Sequence, residues 1–163
     1  MRNLRLVIVS GAKYTNKDKV ASRLAMNSDC VWVKAYTDRP SGQTDYEQDD
    51  SIHLSEKKLS AKMEREVPLA TVEVNGHRYV FFENQLIAGF CVLIGDDSLV
   101  SYFKNNWTDE LITIKCHSKN EKYSQRNILG DDEFDIVFNT DDGDYEELEE
   151  LVADIYHYRD GEL

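Results

Sequence analysis

An alternation of strand and helix patterns, interrupted by one hairpin, predicts an α/β protein: a mostly parallel sheet with helices on both faces and a small inserted β subdomain. Three observations carry that expectation. Leu4 to Val9 is a run apolar except at Arg5 and closed by Ser10-Gly11, the signature of a strand buried on both faces of a parallel sheet. Lys17 to Met26 follows with Val20, Ala21, Leu24 and Ala25 at helical spacing, so strand, loop and helix form one unit. Asn75-Gly76 stands between Ala70–Val74 and His77–Phe82, the strongest short-range hairpin signal in the chain.

The remaining elements follow in order. Cys30 to Tyr36 alternates and reads as a second strand, and the polar stretch from Thr37 to Tyr46, with Pro40 and Gly42, reads as a ligand-contacting loop. Ser55 is a good N-cap for a short helix through Met63, and Pro68 closes the connection after it. Phe90 to Ile94 is another buried strand, a helix begins at Asp97, Leu111 to Cys116 is a further strand and Ile136 to Phe138 a short last one. From residue 144 to 158, Leu148, Leu151, Val152 and Ile155 fall on one stripe of a terminal amphipathic helix whose acidic first turns suit the helix dipole.

A chain of 163 residues, 41% of them hydrophobic, is long enough for one domain with a buried core and too short for two ordinary ones. No apolar run approaches the roughly 20 residues that span a bilayer, and the start passes directly into a strand without a signal-peptide core, so a cytoplasmic protein without membrane attachment is expected. Cys30, Cys91 and Cys116 are odd in number and set in apolar stretches, which suits reduced structural thiols. His53, His77, His117 and His157 share no spacing and no carboxylate partner along the chain, and none is assigned a role. Trp32 and Trp107 read as core or partly exposed anchors.

The net charge of -12 is unevenly spread. Residues 1 to 130 hold 18 basic and 17 acidic side chains, whereas residues 131 to 163 hold 14 acidic ones and Arg159 alone among bases. That acidic end repels phosphate backbones, which argues against nucleic acid there, and it reads either as a solvated helix face or as a surface for a basic partner.

The first turn after the first strand has a recognisable spacing. A phosphate-binding loop has Gly, four residues, Gly-Lys and then Ser or Thr; backbone N–H groups cradle phosphates, the Lys reaches the outer ones and the hydroxyl holds Mg²⁺. Gly11 and Lys17 stand at that spacing, but Asn16 replaces the second Gly and Asp18 the hydroxyl residue.

Three further segments carry a resemblance to the guanylate kinase family over almost the whole chain. Tyr36-Thr37-Asp38-Arg39-Pro40 is similar to the family's Thr-Thr-Arg-x-Pro-Arg segment. The hairpin with Asn75-Gly76-His77-Arg78-Tyr79 resembles the strand pair that closes over GMP, and Phe134 to Asp142 resembles the family's Asp-x-x-Ile-x-Asn-Asp-Asp strand and turn. The resemblance implies a P-loop nucleoside monophosphate kinase core over 1–163, with an inserted GMP-binding-like subdomain at about 35–85, a reduced lid at about 118–130 and the acidic helix at 144–158. It implies nucleotide phosphate binding at Gly11, Asn16, Lys17 and Asp18, a GMP-like site at Arg39, Tyr46 and Tyr79, and Arg126 in the lid. Asp45-Tyr46 and Asp50-Ser51 both remain open as the counterpart of the family's Asp-Tyr pair.

Against the same pattern the chain shows losses. Pro40 is followed by Ser41-Gly42, so the second arginine of the segment has no counterpart, and the guanine-reading glutamate falls at Ala70. Asp18 sets a carboxylate near a polyanion; like charges about 4 Å apart repel by roughly 1 to 4 kcal/mol between bulk-water and surface dielectrics. The lid offers only Lys119, Lys122 and Arg126, and the Asp expected at the end of the third core strand is shifted to Asp96 or Asp97. The expectation is a kinase-like protein that has lost phosphoryl transfer and binds a guanine nucleotide or a protein, the latter at the former substrate surface or the acidic helix. The alternative is a compact active kinase passing phosphate from ATP to GMP or dGMP through Lys17, Arg39 and an Asp-bound Mg²⁺, and only that reading calls for ATP and Mg²⁺.

Overall fold

The computed structural model describes residues 5–27, 30–40, 51–86, 89–107, 110–122 and 129–159, with side chains at 27 and 156–159 left out of the description. Two compact units divide the chain: a core unit of residues 1–32 and 88–163, and an inserted unit of residues 33–87.

The core unit is built on a five-stranded sheet in which every neighbouring pair is parallel. Its strands are β1 (Arg5–Gly11), β2 (Val31–Trp32), β7 (Phe90–Ile94), β8 (Glu110–His117) and β9 (Ile136–Asn139), in the spatial order β2-β7-β1-β8-β9. The apolar run of β1 is explained by its central place, because residues of both parities need a buried face. Val7 and Val9 join Val92, Ile112 and Ile114 under α1 (Lys17–Asn27) and α4 (Tyr145–Arg159), whose Val20, Leu24, Leu148 and Val152 complete that layer. The opposite parity, Leu6, Ile8 and Leu93, is fully buried on the face that carries α3 (Asp97–Asn106) with its buried Leu99, Val100 and Phe103. The edge strand β9 alternates buried and exposed, with Ile136 and Phe138 turned inward to α4.

The inserted unit has a four-stranded mixed sheet, ordered β4-β3-β6-β5. Its strands are β3 (Tyr36–Thr37), β4 (Ile52–His53), β5 (Pro68–Val74) and β6 (His77–Phe82), with α2 (Glu56–Arg65) between β4 and β5. The hairpin turn is the predicted one, with Asn75 at φ 53° and Gly76 at φ 79°, the two positive angles that such a turn requires. Ser55 caps α2 by accepting from the Lys58 N–H at 3.2 Å. A small cluster of Leu59, Val80 and Phe82, with Tyr36, Leu54 and Met63 against it, is the core of this unit.

Three sequence expectations change here. Cys30–Tyr36 is not one strand but β2 and β3 of two different sheets, with Val33 to Ala35 carrying the chain from one unit to the other. Pro68 opens β5 instead of closing a connection, a position where its missing N–H costs no ladder bond. Leu151 leaves the predicted apolar stripe, for it is 43% exposed.

Candidate functional site

The phosphate-loop candidate runs from Gly11 at the end of β1 to Lys17 at the start of α1. Gly11 is required by space as well as conformation: at φ 156°, an added Cβ would lie 2.7 Å from the Cys116 carbonyl oxygen and 2.8 Å from Thr15 Oγ1. Tyr14 and Asn16 also adopt left-handed angles, φ 65° and 55°, which cost an L-residue about 1–2 kcal/mol each unless the surroundings repay it.

The surroundings are specific. Buried Thr15 donates its hydroxyl to the Ala12 carbonyl at 2.8 Å, and its own carbonyl accepts from Thr140 Oγ1 at 2.8 Å. Lys13 pairs with Lys122 through both backbone groups, N–H to O at 3.1 and 2.9 Å. The Tyr14 ring lies 5.9 Å from Lys13 Nζ and 5.7 Å from Lys122 Nζ, within cation–π range. Lys17 turns its ammonium back onto the Gly11 carbonyl at 2.9 Å. Gly11, Asn16, Lys17 and Asp18 are thus brought together in one turn, lined by ammonium groups. Thr15, Thr140 and the Lys13–Lys122 pair are site-shaping residues that no spacing in the sequence announces.

The aspartates after β7 take structural work. Asp96 caps α3, its Oδ1 accepting from the Ser98 and Leu99 N–H groups at 3.0 and 3.2 Å. Asp97 accepts from Ser10 Oγ at 2.6 Å on one oxygen, and from Lys115 Nζ at 2.8 Å and the Leu129 N–H at 2.7 Å on the other. Both side chains of that ion pair are sealed, 3% and 7% exposed. A hard divalent cation takes oxygen ligands, and Asp97 has both of its carboxylate oxygens committed while Asp96 has its Oδ1 committed. Among the described residues no group of three or more His, Cys, Asp or Glu is arranged to hold a metal. The Mg²⁺ that the resemblance implies therefore does not fit at Asp97, both of whose oxygens are engaged; Asp18 offers a carboxylate in the loop's helix turn.

His117 corrects the sequence reading, for it has two carboxylate partners. Nδ1 faces Glu121 at 3.1 Å and Nε2 faces Asp131 at 2.9 Å. Burial pushes its pKa down, but the hydrogen bonds and charges of Asp131 and Glu121 outweigh that and raise it. Burial pushes the Cys116 and Cys30 thiols up to about 12, so neither of these two is poised as a nucleophile.

In the inserted unit, Arg39 and Tyr79 come together, the guanidinium carbon 5.6 Å from the ring centroid. The turn that presents Arg39 is fixed by its N–H on Thr37 Oγ1 at 3.1 Å and by His53 Nδ1 donating to its carbonyl at 2.6 Å. Beside it, Asp38 accepts from the Arg78 N–H and Nε, each at 2.9 Å, with His77 Nδ1 at 3.7 Å. Burial raises the Asp38 pKa, yet the Arg78 bonds and the Arg78 and His77 charges prevail and hold it below the usual carboxylate range. His77 thus also has a carboxylate neighbour. Ala70 is 2% exposed beside a β-bulge, so the position read as the lost guanine contact is packed with a methyl group. Tyr46, Arg126 and the Asp45 and Asp50 alternatives lie outside the described residues, as does the His157 side chain.

A scan against protein-family models and a search of curated proteins each return no match. Among solved structures, the chain is similar to guanylate kinase from Anaplasma phagocytophilum, with a TM-score of 0.58 and 12% identity over 98% of this chain and 88% of that one. The protein has a guanylate-kinase-like α/β fold. No helix among the described residues is long and apolar enough to cross a membrane.

Proposed function

We propose that this is a divergent guanylate-kinase-like protein, with residues 33–87 as its inserted substrate-side subdomain, that binds a nucleotide phosphate at the Gly11–Asp18 loop and has lost phosphoryl transfer. The observation that carries the reading is the state of the loop's chemical parts. Its ammonium groups are present, whereas the second Gly is Asn16, the hydroxyl residue is Asp18, and Asp97 is committed to Lys115. Anion binding needs the first set; transfer needs the second, because positioned charge stabilisation and a metal supply most of the rate in this chemistry. On this reading Arg39 and Tyr79, with Tyr46, belong to the old acceptor site, and Arg126 to the lid remnant.

An active nucleoside monophosphate kinase is the second reading. It is favoured by the Arg39–Tyr79 pair, since a guanidinium beside a phenol is of the kind that can hold phosphate through paired N–H donors. A protein ligand at the former substrate surface or on the acidic α4 is the remaining class.

Calorimetric titration of ATP and GMP with Mg²⁺, followed by a coupled phosphoryl-transfer assay, separates these. The expected result is nucleotide binding, lost in Lys17→Ala, without turnover. Turnover that Lys17→Ala abolishes would establish the kinase and overturn the proposal. Binding of neither nucleotide would leave the protein partner.

A further inference from the structure

Lys115 stands in an apolar strand, on the register position that pairs with Ser10, one residue from the pair Gly11–Cys116. A lysine there is costly to bury, and its partners explain it. Its ammonium reaches Asp97 at 2.8 Å and lies 5.2 Å from the Phe134 ring centroid. Asp97 in turn holds the Ser10 hydroxyl at the end of β1 and the Leu129 N–H beyond β8.

We propose that the phosphate loop takes its anion without a divalent cation, with Lys115 as the resident positive charge opposite Asp97. This rests on the phosphate-binding reading of the loop. A metal entering at Asp97 would have to displace three hydrogen bonds and set two positive charges beside a third. Charge opposite the phosphate comes instead from the monovalent groups around the loop: Lys17 on the Gly11 carbonyl, Lys13 and Lys122 at 5.9 and 5.7 Å from the Tyr14 ring centroid, and Lys19 above Tyr145 at 4.8 Å. Asp18 is the remaining acid of the loop, and it is the carboxylate on which a phosphate-bound Mg²⁺ would have to depend.

The test is calorimetric titration of ADP into the full chain, once in EDTA and once in excess MgCl₂. The expected dissociation constants agree within about twofold, and Lys17→Ala weakens both alike. Binding tighter by about tenfold or more in MgCl₂ overturns the proposal, and loss of that gain in Asp18→Asn would assign the metal to Asp18. Absence of ADP binding in both media instead overturns the phosphate-binding reading on which it rests. Lys115→Met leaves Asp97 without its cation and is expected to make ADP binding depend on Mg²⁺; metal independence retained in that variant removes Lys115 from the explanation. If Lys115→Met does not fold, the double variant Asp97→Asn with Lys115→Met, which removes both charges, is expected to stay metal-independent. A new Mg²⁺ requirement there would overturn the proposal.

Discussion

The core unit and the inserted unit each hold an aspartate against a basic side chain, and they do so in opposite ways. Asp97 and Lys115 meet in the interior, with both side chains sealed from solvent. Asp38 and Arg78 meet at the margin of the second sheet, with Arg78 27% exposed. There the guanidinium also donates to the Glu56 carbonyl at 3.2 Å and Ser60 Oγ at 3.1 Å, so one side chain ties the β3 turn to α2. The difference is between a point charge used to neutralise and a planar fork used to organise. In the first unit Asp97 ties the ends of β1 and β8 to the first turn of α3. In the second the neighbouring Arg39 is left to meet Tyr79.

The sharpest way to break the first half of that comparison is at Gly11. Gly11→Ala combines a left-handed φ with a Cβ pressed against the Cys116 carbonyl, backbone that cannot yield cheaply. We expect a loss of about 3 kcal/mol, from roughly 1–2 for conformation and 1–3 for overpacking. That corresponds to a melting temperature lower by about 10 °C for a chain of this length. Unchanged melting would mean the loop relaxes freely, and the path of β1 into α1 would then not be rigidly specified.

Arg78→Ala addresses the second half. It strips Asp38 of the Nε hydrogen bond and α2 of its tie, and an expected cost of about 2 kcal/mol follows from losing a charge-assisted bond at a half-sealed carboxylate. The backbone N–H of residue 78 still reaches Asp38, which keeps the loss below that of Gly11→Ala. Arg78→Lys should recover little, since an ammonium does not span Asp38, Glu56 and Ser60 together. Denaturant melts read both values, and full recovery by Lys would show that charge alone, and not the fork, is at work.

Periodicity and turn chemistry are local, and they made β1, α1, the Asn75-Gly76 hairpin and α2 legible in the sequence. Burial of both parities marks β1, and two positive angles mark the hairpin. What stayed hidden depends on pairings between distant residues. Lys115 reads as one polar residue in an apolar strand until β8 lies beside β1 and α3 brings Asp97 to it. Which of Asp96 and Asp97 caps the helix and which turns inward is a tertiary choice that adjacent identical residues cannot signal. Thr15 and Thr140 are 125 positions apart, and hydroxyl residues have many uses, so no spacing links them. Cys30–Tyr36 alternates evenly although its two halves pair with different strands, because alternation records burial and not partners.

The smallest effect expected is also the one that titrates near neutral pH, and it qualifies the picture of a core unit whose charges are sealed. His117 ends β8 with a carboxylate at each ring nitrogen, Glu121 from the turn that follows and Asp131 from the segment before β9. Protonated, the ring donates to both; neutral, it has one N–H, and a lone pair then faces a carboxylate. Its pKa is raised in the fold above the ordinary 6.5, against the opposing pull of burial. A raised pKa contributes stability that is fully present below the unfolded value and is lost as pH rises through the folded one. With Asp131 mostly solvated, screening keeps the contribution at about 1 kcal/mol or less. The melting temperature should therefore decline by a few degrees between about pH 6 and pH 8, and His117→Gln should flatten that decline while leaving the acid limb unchanged. An equal slope in the variant would assign the titration to another group, and the bridge between Glu121 and Asp131 would then be no stronger than its solvent-exposed parts.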